Sequence, residues 1–233
     1  TAWGLDDRTL VIFMNDNGGT AGLKVFNAGM RGGKGTPYLG GTRAASLWRW
    51  PGRIQPGDAP QLAAHLDVLP TLAEIAGAKL APDLTAKLDG RSLVPVLQDP
   101  GAPWPERFLF THLGRWPTGT AATSKYRQCS VRHGRYHMVC ASRDGSKQWE
   151  LYDVKADPGQ QRNLAAELPA VVQKLESAYD AWWASVLPCL ENEDVRGPRV
   201  NPFKELYWKQ FAGEPTPELL RQMDPELKFT GRW

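Results

Sequence analysis

The sequence is poor in the features that mark zinc-binding, membrane-spanning or nucleic-acid-binding chains. Its three cysteines form no CxxC pair, so a cysteine-based zinc site is not expected. It has no run of about 18 apolar residues, and therefore no membrane-spanning helix is predicted. The formal net charge of +3 is too small to indicate nucleic-acid binding, although it permits an anionic substrate. We accordingly expect neither a nucleic-acid partner nor a membrane partner.

The signatures of several common enzyme classes are missing as well. No G-x-S-x-G nucleophile elbow and no H-E-x-x-H zinc motif occur in the chain. The glycine-rich stretch before Lys34 resembles a nucleotide P-loop only superficially, because that motif fails at Ala28 and again at Gly35. The sequence therefore does not predict a serine hydrolase, a zinc peptidase or a P-loop nucleotide-binding protein.

The chemistry that is present is concentrated near the start of the chain. Residues 10–14 form an unbroken apolar run, which is typical of a strand buried on both faces of a parallel sheet. Asp16 and Asn17 follow this strand directly, and ligands of open α/β sheets collect at the carboxyl ends of strands. Carboxylate and amide oxygens suit a hard divalent cation, so this pair is a candidate metal site. An ordinary turn at the end of a strand is the alternative interpretation.

A glycine-rich segment follows the candidate metal ligands. Residues 18–41 contain nine of the 23 glycines, and such a loop can bring backbone N–H groups close to an anion. Lys34 is the only cation within residues 32–38, and Arg43 follows a further pair of glycines. A solvated loop lysine is the simpler interpretation of Lys34, since lysine is usually exposed.

The remaining pattern predicts a larger α/β part and a smaller subdomain. We expect a strand at residues 45–50 and a helix at residues 66–77, followed by a proline-rich boundary near residues 98–106. Short strands then suggest an antiparallel sheet, in which Cys129 and Cys140 could pair across a hairpin and leave Cys189 over. The helix that should pack on this sheet is predicted at residues 168–187, and the predicted domains are 1–100, 105–190 and a C-terminal extension, 191–233.

Seven short motifs, in this order and spacing, resemble the sulfatase family of the alkaline-phosphatase-like superfamily. The resemblance runs over residues 5–183 and corresponds to the C-terminal half of such an enzyme. It implies an α/β fold, with a mixed or parallel sheet sandwiched by helices and a small α+β subdomain with an antiparallel sheet and a packed helix. The motifs that carry it are Asp16-Asn17-Gly18, Gly33-Lys34-Gly35-Thr36-Pro37-Tyr38, Gly40-Gly41-Thr42-Arg43, Trp50-Pro51-Gly52, Asp67-Val68-Leu69-Pro70-Thr71-Leu72, Leu88-Asp89-Gly90-Arg91-Ser92-Leu93 and Glu150-Leu151-Tyr152-Asp153.

The resemblance also implies roles for individual residues. Asp16 and Asn17 would supply half of a Ca²⁺ site, whose other ligands have no counterpart in this chain. Lys34 would be a catalytic residue that contacts the sulfate, and Arg43 would either orient the ligand or support the loop. His112, just after a predicted strand, is expected at the rim of the substrate pocket.

The family's formylglycine nucleophile, made from Cys or Ser in C/S-x-P-x-R, has no match. The nearest stretch, at residues 129–133, lacks the proline and places its arginine one residue early. We therefore expect a sulfuric ester hydrolase whose nucleophile lies in an N-terminal half absent from this chain, so that the chain alone is inactive. The expected substrate is a sulfated small molecule or glycan, and the expected location is periplasmic or extracellular.

Two alternatives stay open at this point. One is a phosphomonoester or phosphonate hydrolase of the same superfamily, because that superfamily binds both kinds of tetrahedral anion. The other is a catalytically inactive glycan-binding or structural module that keeps the scaffold.

Overall fold

The first sheet of the protein is a two-stranded antiparallel ribbon that leads into the candidate site. The computed structural model describes residues 3–190 and 201–210. Strand β1 (Val11–Met14) pairs with β2 (Ser46–Arg49), so that Val11 lies opposite Arg49. Both strands occur where the apolar runs predict them.

The predicted burial of β1 on both faces of a parallel sheet is wrong for this chain. Val11 and Phe13 are 49% and 61% exposed, and the only strand paired with β1 in the described ranges is antiparallel. The reason is that an apolar run shows only that a strand is hydrophobic, whereas burial of both faces requires other elements packed against each face. Within residues 3–190 and 201–210 no second layer covers these side chains.

Four helices precede the second sheet, of which the first lies between the two strands of the ribbon and the other three follow the ribbon. They are α1 (Leu39–Thr42), α2 (Val68–Ile75), α3 (Pro82–Thr85) and α4 (Val94–Gln98). Helix α2 follows a 3₁₀ turn and stops at Gly77, whose φ of +64° is the left-handed conformation that favours glycine. The helix predicted at residues 66–77 is therefore present, but Leu69 and Leu72 on its predicted inward face are exposed.

The second sheet is antiparallel, as predicted, and its four strands lie in sequence order. They are β3 (Phe108–His112), β4 (Cys129–His133), β5 (Tyr136–Cys140) and β6 (Glu150–Asp153). Cys129 lies directly opposite Cys140 in the β4–β5 pair, which fits the predicted hairpin, but both are free, buried thiols rather than a disulfide.

One face of this sheet carries helix α5 (Pro169–Leu190), which contains the predicted helix at residues 168–187 apart from its first residue. Phe110 of β3 stacks on Trp182, with ring centroids 4.9 Å apart, and Leu175 and Tyr179 are fully buried. The aromatic side chains of α5 therefore belong to the hydrophobic core between this helix and the second sheet. The α/β class predicted from the sequence is confirmed, whereas the boundary between residues 1–100 and 105–190 stays a prediction.

The chain folds as two compact units, residues 1–188 and residues 189–233. Of the second unit the structure describes helix α6 (Pro202–Gln210), on which Phe203 and Leu206 are exposed. No helix within residues 3–190 and 201–210 combines the length and apolar character that crossing a membrane requires.

Candidate functional site

The turn that carries Asp16 and Asn17 is held at both of its ends. The backbone N–H of Asn15 donates to the carbonyl oxygen of Ala45 over 3.0 Å, and Nε2 of His65 lies 2.7 Å from the carbonyl oxygen of Asn15. On the other side, the N–H of Gly18 donates to the carbonyl oxygen of Gly41 over 3.0 Å. The turn therefore presents the two side chains from a fixed backbone. In the described part of the chain, neither side chain has a hydrogen-bond partner, so their oxygens are free for a ligand.

The loop that carries Lys34 contacts this turn directly. The backbone N–H of Lys34 donates to the carbonyl oxygen of Gly19 over 2.9 Å, and Thr36 closes the loop by donating from both N–H and Oγ1 to the carbonyl oxygen of Gly33. The side chain of Lys34 is exposed. The structure thus brings together the backbone segments of the two predicted site motifs, which lie about twenty residues apart.

Three glycine-containing segments, 18–19, 32–36 and 40–41, pack backbone against backbone, and we call them the glycine cradle. A Cβ atom on Gly18 would lie 1.8 Å from the carbonyl oxygen of Gly40, and one on Gly41 would lie 2.2 Å from that of Thr36. These distances are far shorter than any non-bonded contact, so no other residue type fits these positions without moving the backbone. The many glycines of this region therefore serve close packing of the loops.

Arg43 leaves the cradle after α1 and has an exposed side chain. Its backbone N–H donates to the carbonyl oxygen of Leu39 over 2.8 Å. The guanidinium of Arg43 also influences Arg132 on β4, because burial and the positive charge of Arg43 together lower the pKa of Arg132 to about 10. Arg43 therefore acts electrostatically on the second sheet, and its predicted contact with substrate stays a prediction.

His112 lies at the end of β3, and both of its ring nitrogens are hydrogen-bonded to backbone groups within residues 114–124. The N–H of Gly114 donates to Nδ1 over 2.9 Å, so Nε2 carries the proton and donates to the carbonyl oxygen of Ser124, also over 2.9 Å. The ring packs against Trp116 and Trp183, and burial lowers the pKa of His112. These contacts support a packing role for the His112 ring, and its predicted position at the rim of the substrate pocket stays a prediction.

A polar network that sequence reasoning missed joins the glycine cradle to the second sheet. The carboxylate of Glu150 accepts from Tyr38 over 3.0 Å and from Tyr152 over 2.6 Å, while Nη1 of Arg31 donates to the Tyr152 hydroxyl over 2.9 Å. The Arg31 guanidinium also lies over the Tyr38 ring, 3.9 Å from its centroid. Burial and the neighbouring Glu150 carboxylate raise the pKa of Tyr38 to about 12, so its hydroxyl stays a donor.

Gln160 extends this network toward the start of α1. Its side chain is fully buried, and its Oε1 accepts from the N–H of Leu39 over 2.7 Å. Its Nε2 lies 3.3 Å from Nδ1 of the buried His137. The motifs around Tyr38 and Glu150 are visible in the sequence, but neither hydrophobic periodicity nor any short motif signals Gln160 or its partners.

The donor set for a metal ion in this chain is small. No group of three or more His, Cys, Asp or Glu side chains within residues 3–190 and 201–210 is arranged to hold a metal. Asp16 and Asn17 offer two suitable oxygen ligands, whereas Ca²⁺ takes about six to eight. The residues present therefore fit part of a calcium site and require further ligands from elsewhere.

Comparison with known proteins identifies the family. Residues 37–181, more than half of the chain, match the family model described as N-sulphoglucosamine sulphohydrolase, C-terminal. The chain belongs to the sulfatase family. Human arylsulfatase A is 38% identical to it over 193 residues, which are 74% of this chain and 37% of that protein. The chain therefore spans a little over a third of this sulfatase relative.

Solved structures show the same fold. The crystal structure of Ps i-CgsB aligns with a TM-score of 0.64 at 21% identity, covering 94% of this chain and 44% of that one. The structure of BT4656 in complex with its substrate, D-glucosamine-2-N,6-O-disulfate, aligns with a TM-score of 0.53 at 20% identity, covering 83% of this chain and 37% of that one.

Membership of the sulfatase family bears on the two alternative functions, but the roles of the individual residues stay predictions. The comparisons favour neither the phosphomonoester hydrolase nor the inactive glycan-binding module. The stretch that matches the family model begins at residue 37, after Asp16, Asn17 and Lys34. The roles of these three side chains therefore depend on their motifs and on the geometry described above.

Proposed function

We propose that the protein containing this chain hydrolyses sulfate esters, and that this chain contributes part of the metal and sulfate site. The observation that carries the proposal is the 2.9 Å hydrogen bond from the Lys34 backbone to Gly19, in the same turn as Asp16 and Asn17. It holds a cation-bearing loop against a turn with two unpartnered oxygen-bearing side chains. A sulfate that is bound by both a divalent cation and an ammonium group requires oxygen ligands for the cation and a lysine close to them.

Asp16 and Asn17 are the residues that would hold Ca²⁺, with further ligands from the proposed N-terminal half of the fold. A bound divalent ion acts as a Lewis acid toward sulfate oxygens and fixes their orientation. The chain's own part is to present one carboxylate and one amide oxygen from a turn whose ends are hydrogen-bonded to Ala45 and Gly41.

Lys34 is the proposed catalytic cation. Its exposed ammonium would contact a sulfate oxygen and offset the negative charge that grows while the S–O bond breaks. Arg43 would either orient the substrate or support the loop, and His112 would lie at the pocket rim. Of these three, Lys34 has the strongest support, because its backbone is bonded directly to the metal-ligand turn.

The nucleophile is proposed to be a formylglycine in the N-terminal half. Residues 1–233 contain no C/S-x-P-x-R sequence, and the expected activity of this chain alone is therefore nil. The proposed substrate is a sulfated small molecule or glycan, in line with the disulfated glucosamine bound to BT4656. The proposed location is periplasmic or extracellular.

The test replaces Lys34 in the complete protein and measures hydrolysis of an aryl sulfate. Loss of one preorganised charge-stabilising group lowers kcat by about 10²–10³ in other enzymes, and we expect Lys34→Ala to fall in that range. Lys24→Ala, an exposed lysine of the same region, is the matched control and should retain activity. Full activity in Lys34→Ala, or metal-dependent hydrolysis by residues 1–233 alone, would contradict the proposal.

A further inference from the structure

Gln160 occupies a fully buried position between the second sheet and the glycine cradle. It follows β6, and its backbone adopts a φ of +49°, which is unusual for a residue other than glycine. Asp157 fixes this conformation, because its carbonyl oxygen accepts from the Gln160 N–H over 3.1 Å and its carboxylate accepts from the N–H groups of Gln161 and Arg162. The backbone that carries Gln160 is therefore held by hydrogen bonds to Asp157 in the segment that follows β6.

The hydrogen bonds of Gln160 determine the orientation of its amide. The Leu39 N–H can only donate, so the atom 2.7 Å from it must be the amide oxygen. The amide NH₂ then faces Nδ1 of His137 and donates to it. His137 suits this role, because burial and the positive charge of Arg132 lower the pKa of His137 to about 3 and keep the ring neutral. One side chain thus connects β5 to the first residue of α1.

Leu39 is the point at which α1 enters the glycine cradle. The next residue, Gly40, donates its N–H to the carbonyl oxygen of Arg31 over 2.8 Å, and Nη1 of Arg31 reaches the carbonyl oxygen of Gln160 over 3.2 Å. Gly41 in turn accepts from Gly18, beside Asp16 and Asn17. A shift at Leu39 would therefore move the backbone that supports both the metal-ligand turn and the Lys34 loop.

We infer that Gln160 is a positioning residue that fixes the glycine cradle, and with it Lys34, through the hydrogen bond from the Leu39 amide. The catalytic meaning of this role rests on the proposed function. The hydrogen bond itself is independent of that proposal, and the two are separated in the experiment below.

The experiment measures amide hydrogen exchange in the 233-residue chain for the wild type and two variants. Gln160→Met fills a similar volume but removes the acceptor for Leu39, and we expect exchange at residues 39–43 to become at least tenfold faster. Gln160→Glu keeps an oxygen acceptor for the Leu39 N–H but buries a carboxylate. Relative to the amides of β3–β6, its exchange at Leu39 should therefore stay close to the wild type. The amides of β3–β6 report any loss of overall stability.

Two results would overturn the inference. One is an unchanged exchange rate at Leu39 in Gln160→Met, which would assign Gln160 a space-filling role. The other is an equal acceleration throughout β3–β6, which would assign it a general stabilising role.

Titration of the same proteins with inorganic sulfate separates this inference from the proposed function. Binding that disappears in Lys34→Ala and weakens at least threefold in Gln160→Met supports both. Binding that is unaffected by Lys34→Ala contradicts the proposed role of Lys34, whereas the exchange data still decide the role of Gln160.

Discussion

Nη1 of Arg107 lies 2.8 Å from Oδ1 of Asp67, and the side chains are 5% and 0% exposed. The same carboxylate accepts backbone N–H groups from Ala64 over 2.8 Å and from Arg91 over 2.9 Å. One buried carboxylate therefore ties the start of α2, the loop before α4 and the segment entering β3. Two of the motifs that resemble sulfatases, those beginning at Asp67 and Leu88, meet at this point.

Asp67→Asn is expected to lower the free energy of unfolding by about 3–5 kcal/mol, because it leaves the buried Arg107 charge without a counter-charge. The measurement is the midpoint of urea unfolding. Glu167→Gln is the matched control, since its partner Arg162 is also 2.8 Å away but the pair is 73% and 53% exposed. Glu167→Gln should lower the free energy of unfolding by less than about 1 kcal/mol. Equal losses in the two variants would show that burial does not set the strength of the Asp67–Arg107 pair.

Gly18→Ala is expected to destabilise the glycine cradle by about 3 kcal/mol or more, as overpacking of a rigid contact does. The added Cβ would meet the Gly40 carbonyl oxygen at 1.8 Å. Gly22→Ala is the control, because it has open space but a φ of +74°, and it should cost roughly 1–2 kcal/mol. Thermal unfolding of both variants measures the difference, and a Gly18→Ala variant as stable as Gly22→Ala would show that the cradle can relax.

His137 should make stability depend on pH between about 6.5 and about 3. Its pKa is lowered from 6.5 to about 3 in the folded chain, so over this interval the unfolded chain binds a proton that the folded chain does not. The contribution of His137 to the free energy of unfolding is therefore fully present above pH 6.5. It decreases as the pH falls toward 3, by up to about 1.4 kcal/mol per pH unit.

His137→Asn keeps a side-chain acceptor for Gln160 and removes the titrating ring. Urea unfolding at several pH values should show a flatter profile for this variant than for the wild type between about pH 6.5 and about pH 4. If the pH profiles of the variant and the wild type are parallel, a group other than His137 causes the loss of stability at acid pH.

Phe13→Ser tests whether the open face of the β1–β2 ribbon is covered in the complete protein. In the isolated chain Phe13 is 61% exposed, and a surface substitution of this kind should change stability by no more than about 0.5 kcal/mol. In the complete protein we expect the proposed N-terminal half to bury the ring, so the same substitution should cost about 3–5 kcal/mol. Small losses in both proteins would show that this face stays open.

The sequence predicted the second sheet and helix α5 well because their signals are local. The predicted antiparallel sheet of short strands is present as β3–β6, and helix α5 lies within a few residues of its predicted position. Each of these elements is specified by its own short pattern of apolar residues. The packing of α5 on the sheet follows from its apolar stripe, which includes Leu175 and Tyr179. The apolar run at residues 10–14 also contains a strand, Val11–Met14, but the pairing direction and burial of this strand depend on other segments and were not encoded locally.

The connection between the cradle and the sheet could not be predicted in the same way. Arg31 and Tyr152 are 121 residues apart in sequence, and so are Leu39 and Gln160. No periodic pattern or short motif relates positions at such separations, because their contact depends on the completed fold. That the Lys34 loop lies beside the turn with Asp16 and Asn17 was predicted only through the family resemblance, and the hydrogen bond from Lys34 to Gly19 supplies the physical link.

The β1–β2 ribbon has a practical consequence for anyone preparing this chain. Among residues 3–190 and 201–210, each strand has a single neighbour, so the outer margin of each carries backbone donors and acceptors available to another molecule. Combined with the outward Val11 and Phe13 side chains, this margin is a template for intermolecular strand addition. Recombinant residues 1–233 should therefore precipitate with rising concentration, and a lysine placed at Val11 should raise the solubility limit.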